Sequence, residues 1–146
     1  GHSLYTPLID AVSSMSFRKT GALIVVERKR KLNEYVQAGE QIDSGISMRL
    51  ILTIFNTKSV LHDGAIIIRG NRIISAKVVL PLSKNPEYSR KLGTRHLAGI
   101  GITEISDAIS IIVSEQSGQI SVAQSGHLKS NVAFEELMQI ISDAGK

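Results

Sequence analysis

"AIIIRGNRIISAKVVL", residues 65–80, decides the fold. Two runs rich in Ile and Val flank Gly70 and Asn71, and a glycine-first pair between β-rich runs is the signature of a tight hairpin. The run "AIII" is apolar on every residue, as a strand buried inside a sheet would be. Upstream, "TGALIVVE" (20–27) reads as another buried strand. "SGISMRLILTIFN" (44–56) sets Ile46, Leu50, Ile51, Ile54 and Phe55 at the spacing of an amphipathic helix, with Ser44 or Ser47 near its start. Downstream, "AISIIVSEQSGQISVAQ" (108–124) reads as a second hairpin with Gly118 in its turn. Between the hairpins, "NPEYSRKLGTRHLAGIGITEIS" (85–106) is mostly helical by propensity and broken by Gly93, Gly99 and Gly101; "AFEELMQIISDA" (133–144) closes the chain as an amphipathic helix. The expected fold is α/β (α+β): a mixed central sheet flanked by helices.

Bulk properties narrow the function. A chain of 146 residues, 42% hydrophobic, holds one domain with a real core rather than two. "GHS" at the start looks like a tag remnant, so residues 1–20 are read as that remnant plus a helical lead-in, and residues 21–146 as the domain. No apolar run approaches the roughly 20 residues that cross a bilayer, so a soluble, cytoplasmic chain is expected. With no cysteine, any metal must be held by oxygen or imidazole. The net charge of +4 and "ERKRK" (27–31) invite a nucleic-acid reading, but only 4% of residues are aromatic and none is Trp. The cluster reads instead as a solvated turn, with no nucleic acid among the partners.

Three stretches carry chemistry. In "VLHDGAIII" (60–68), Asp63 stands at a strand mouth before the small residues Gly64 and Ala65. It is either an Asp-Gly turn or an oxygen ligand beside a backbone that a bulky ligand can approach. His62 reads as a hydrogen-bonded boundary residue. In "LGTRH" (92–96), Thr94 caps a helix whose first turn carries Arg95 and His96. Free N–H groups, helix dipole and guanidinium then converge as in a phosphate site, the other reading being a basic first turn on an exposed helix. Ser114 and Glu115 end the strand "IIV"; they are ordinary strand-end polarity, or, if both hairpins share a sheet, Glu115 joins Asp63 around Mg2+ or Mn2+. His127 has no role, and no Walker-type loop, HExxH or GxSxG motif occurs.

"LHDGAIII", "VLPLS", "LGTRHLAGIGITEISDAISIIVSE" and "SGQISVA" occur in an order and at spacings that resemble the diadenylate cyclase family, whose members make cyclic di-AMP from ATP. The resemblance runs from about residue 21 to residue 128. It implies that Asp63 is a metal ligand and helper of the attacking 3′-hydroxyl, with His62 a second metal contact and Glu115 a third. It implies that Gly64 and Ala65 shape the nucleotide pocket, that Leu80 lines the adenine site, that Thr94, Arg95 and His96 hold the triphosphate, and that Ser114 lies near the phosphates. Mn2+ or Mg2+ is the implied cofactor, ATP the substrate, and a homo-oligomer with face-to-face pairs the implied assembly. Where the family has Arg-His-Arg this chain has Arg95, His96 and Leu97, a variant similar to the short soluble branch of the family. Either Leu97 leaves out a cationic phosphate contact, the favoured reading and the one feature that would support a catalytically weak nucleotide sensor, or it packs inward with Ile100.

Overall fold

The computed structural model describes residues 5–145. The elements run α1 (Thr6–Arg18), β1 (Ala22–Glu27), α2 (Asn33–Ala38), β2 (Glu40–Gly45), α3 (Met48–Phe55), β3 (Ala65–Arg69), β4 (Arg72–Val78), α4 (Pro86–Ser89), α5 (Thr94–Glu104), β5 (Ile109–Val113), β6 (Ile120–Gln124), β7 (His127–Lys129) and α6 (Phe134–Ala144). The strands form one seven-stranded sheet in the order β2-β4-β3-β1-β5-β6-β7. Among the described residues only β1 and β3 pair in parallel, Ile24 opposite Ile66, and every other pairing is antiparallel, which makes the sheet mixed as expected. The opening "GHS" lies outside the described residues.

The continuously apolar strands are explained by cover on both faces. Successive side chains point to opposite sides. Ile24, Ile66, Ile68, Ile111 and Val113 therefore meet Leu8, Val12 and Met15 of α1, Ile54 and Phe55 of α3, and Leu137 and Ile141 of α6. Leu23, Val25, Ile67 and Ile112 meet Val36 of α2, Tyr88 of α4, and Leu97 and Ile100 of α5 on the other side. Burying each such side chain contributes about 1.5–3 kcal/mol, which is why α1 belongs to the core as firmly as the helices that follow it.

Ser47, not Ser44, caps α3: its hydroxyl accepts the N–H of Leu50 at 3.2 Å, while Ser44 lies in β2. The turn at Gly70 and Asn71 and the return at Gly118 stand where the sequence places them. Three short elements escape pattern reading. α2 and β2 arise from "NEYVQAGEQIDSG", whose burial is intermittent, and β7 is only three residues long.

At the carboxyl ends of β1 and β3, Glu27 is fully enclosed and gripped by Arg69, through 2.5 Å from Nε to Oε1 and 2.8 Å from Nη2 to Oε2; Leu32 donates its N–H to Oε2 at 2.8 Å. Burial alone would raise the Glu27 carboxyl, but the hydrogen bonds and charge of Arg69, with Leu32 and Lys31, hold it below its ordinary 4.5. The basic cluster at 28–31 turns back over this end, where Asp107 accepts the N–H groups of Lys29 and Arg30, each at 3.0 Å.

Candidate active site

The opposite end of the sheet is open. A cleft of about 640 Å³, within the range of roughly 300–1,000 Å³ usual for small-molecule sites, lies at the amino ends of β1 and β3 and the carboxyl ends of β4 and β5. Asp63, Gly64, Leu80, Thr94, Arg95, His96, Ser114 and Glu115 all line it, although up to 52 residues separate them in sequence. His62 and Ala65 do not: His62 stands beside Asp63, and Ala65 is fully buried beneath the cleft among the residues around Leu80 and Leu97.

Gly64 aims Asp63. Its φ of +85° is comfortable only without a side chain, and a Cβ there would come within 2.7 Å of the Val78 carbonyl oxygen. The sequence reading gave that space to a ligand; the structure gives it to the backbone of β4. A bulge in β4, with Lys77 at φ +53°, brings Val78 opposite Ala65. Asp63 is left at the mouth with its side chain 77% exposed. The ring of His62 points Nδ1 at the carbonyl oxygen of Ser59, 2.7 Å away, and Nε2 at Oδ1 of Asp63, 3.2 Å away. Nδ1 must carry the proton to meet a carbonyl, so in the neutral ring a lone pair on Nε2 faces the carboxylate. Two acceptors so placed are bridged by a proton or a cation. His62, Asp63 and Glu115 do not come together as one cluster; among the described residues no three His, Asp or Glu side chains converge to hold a metal.

The phosphate-like corner is the start of α5. Gly93, not Thr94, takes the extended cap geometry (φ −79°, ψ 178°), and Thr94 is the first helical residue. No side chain caps this end, and the first N–H that bonds within the helix turn is that of Leu97, to Gly93. The N–H groups of 94–96 are thus left to an anion, with the positive end of the dipole behind them. The Arg95 guanidinium lies 3.7 Å from Oε1 of Glu115, a long contact with a carboxylate that is 65% exposed. Burial, then the Arg95 charge, push the imidazole of His96 below its ordinary 6.5, so it is neutral near pH 7. Ser114 accepts the N–H groups of Gln116 and Ser117 at 3.2 and 3.3 Å, which shapes the turn after β5 and leaves its own O–H to donate.

Leu97 is 9% exposed and sits in the core around Leu23 and Ile100, outside the cleft lining. The fourth helical position of α5 turns inward to the sheet, so Leu97 packs with Ile100, as the second of its two readings has it. The facing wall is apolar: Leu80 is mostly buried, while Val79 (82% exposed) and Leu82 project at the rim. Leu23, Val78, Val79, Leu82 and Gln116 also line the cleft and were not singled out from sequence. An apolar run that continues past the end of a strand was the available signal. This wall is fastened to α5: Ser83 donates its N–H to the Leu97 carbonyl at 2.9 Å, and Gly101 packs so closely on the Pro81 carbonyl that any side chain would collide with it.

The family model described as "DisA bacterial checkpoint controller nucleotide-binding" (DAC) matches residues 9–128. The diadenylate cyclase of Listeria monocytogenes serotype 1/2a is 43% identical over 140 residues, covering 96% of this chain and 51% of that protein. Cyclic di-AMP synthase CdaA of Bacillus subtilis is 40% identical over 134 residues, covering 92% of this chain and 49% of that one. This chain thus spans about half the length of these relatives. The crystal structure of a double mutant of DacA from Staphylococcus aureus superposes with a TM-score of 0.95 at 41% identity, over 98% of this chain and 95% of that one. A match that begins inside α1, ends inside β7 and takes in every segment of the cleft makes this chain a member of the DisA-type nucleotide-binding (DAC) family.

Proposed function

We propose that the cleft binds ATP and that the domain is a diadenylate cyclase, joining two ATP molecules into cyclic di-AMP and two pyrophosphates. The observation that carries this reading is the meeting, in one cleft, of an exposed carboxylate, an uncapped helix start with its arginine, and an apolar wall. The triphosphate lies against the N–H groups of 94–96 and Arg95, with the Ser114 hydroxyl donating to it, and the base lies against Leu80 and Leu82. Each 3′-hydroxyl attacks the α-phosphorus of the other nucleotide; a P–O bond forms and the bond to pyrophosphate breaks. Asp63 holds the attacking hydroxyl and draws off its proton. Because the protein makes no covalent bond, positioning and charge neutralisation supply the rate.

A divalent cation, Mg2+ or Mn2+, fits beside Asp63 and Nε2 of His62, since such ions take one or two protein ligands and complete their shell with phosphate oxygens and water. When bound, it neutralises phosphate charge and makes the 3′-hydroxyl more acidic. Glu115 is the counter-ion that Arg95 exchanges for phosphate. One cleft holds one nucleotide while the product is twofold symmetric, so the working unit is a face-to-face pair of copies. No helix among the described residues is long and apolar enough to cross a membrane. The use of ATP fits work in the cytoplasm.

Incubation with ATP and Mn2+ should yield cyclic di-AMP and pyrophosphate, at a rate per chain that falls on dilution as pairs separate. ATP binding without product would leave a nucleotide sensor; failure to bind ATP would remove the reading altogether. The sensor alternative rests on Leu97 alone, which packs in the core.

A further inference from the structure

Arg95 reaches the cleft across Gly21, the buried residue just before β1. A Cβ placed on Gly21 would lie 2.6 Å from Cζ of Arg95 and 2.9 Å from its Nη2, so the guanidinium rests directly on bare backbone. The antiparallel register of Ala22 with Val113 sets Gly21 opposite Ser114, next to Glu115, whose carboxylate faces the same guanidinium. Gly21 is not in the left-handed region, so its conformation does not call for glycine. What the site uses is the missing side chain.

We propose that Gly21 is a positioning residue: it is the seat that holds the Arg95 guanidinium at the height from which it meets the phosphates of the nucleotide. This rests on the ATP reading above. Alanine at 21 would meet the far end of a flexible side chain rather than backbone, so the fold accommodates it by displacing Arg95. A glycine needed for the fold would lose stability on substitution; a seat loses ligand.

The test is a double-mutant cycle of Gly21→Ala and Arg95→Ala, with ATP affinity and Tm measured for the four proteins in Mg2+. Gly21→Ala should weaken ATP binding on the order of tenfold, as for one charge-assisted contact, and cost nothing further in the Arg95→Ala background. Normal affinity in Gly21→Ala, or a loss repeated in full on Arg95→Ala, would overturn the proposal. Should Gly21→Ala lower Tm, disappearance of that drop on Arg95→Ala supports the seat, and its persistence assigns Gly21 to the fold instead. If the unsubstituted protein did not bind ATP, the parent reading would fall and this one with it; intact binding with an indifferent Gly21→Ala removes this one alone.

Discussion

At the carboxyl ends of β1 and β3, Glu27 and Arg69 close on each other at 2.5 and 2.8 Å with the carboxylate out of water; at the amino ends, Arg95 and Glu115 stand 3.7 Å apart with the carboxylate mostly in it. The same sheet thus carries one ion pair that is complete and one that is only loosely made. Desolvated charge is tolerated at the first end because Arg69, Leu32 and Lys31 all address the same carboxylate. At the second end helix N–H groups, a guanidinium and two facing acceptors keep bonding capacity in reserve. The first arrangement serves the fold; the second is open to a ligand.

Cutting the closed end should have the largest effect. Arg69→Met leaves the enclosed Glu27 carboxylate without its main partner, and a stability loss of about 3–5 kcal/mol is expected in urea denaturation, with ATP affinity of the folded fraction unchanged. At the open end, Asp63→Asn should cut cyclic di-AMP formation by about 10²-fold or more while the urea midpoint stays put, because the side chain is largely solvated. A protein that unfolds instead would move Asp63 to the structural side of the comparison. Leu97→Arg lies between the two: it pushes a charge toward the core beneath the cleft, and a loss of about 2 kcal/mol without tighter ATP binding is expected, part of the cost being relieved as the long side chain reaches for water. Tighter ATP binding at unchanged stability would favour the reading of Leu97 as a missing phosphate contact.

The smallest effect separates the ends by pH. His96 has its folded pKa lowered, so the unfolded chain binds the extra proton; its contribution is full above 6.5 and is lost as pH falls from there toward the folded value. Glu27 is also lowered, so its contribution is full above 4.5 and declines as pH falls below that through its folded value. Asp107, which burial would raise but the N–H groups it accepts hold below its ordinary 3.8, adds to the decline at the acid end. His96→Gln should remove the upper decline and Glu27→Gln should reduce the lower one.

The strands and the long helices were legible because both sheet faces are covered, which writes unbroken apolar runs into β1, β3 and β5, and because α3 and α6 show one wet face. α2 and β2 were not, since an edge strand with alternating partial exposure looks like a loop. In the site, Asp63, Arg95 and Glu115 were legible as residue types, yet their convergence depends on β1 lying between β3 and β5, which no local pattern states. The choice between the two readings of Leu97 was hidden for the same reason. A position next to "TRH" in sequence is next to Leu23 and Ile100 in space.

The fastening of Pro81 and Ser83 to α5 has a consequence for motion. Apolar wall and phosphate corner are tied together, so moving one away from the other breaks the Ser83–Leu97 hydrogen bond and the Gly101–Pro81 contact. Amide exchange should show residues 80–83 and α5 opening together or not at all. If the proposed face-to-face pairs form, nucleotide entry and product release then depend on the two copies moving apart rather than on either slot widening.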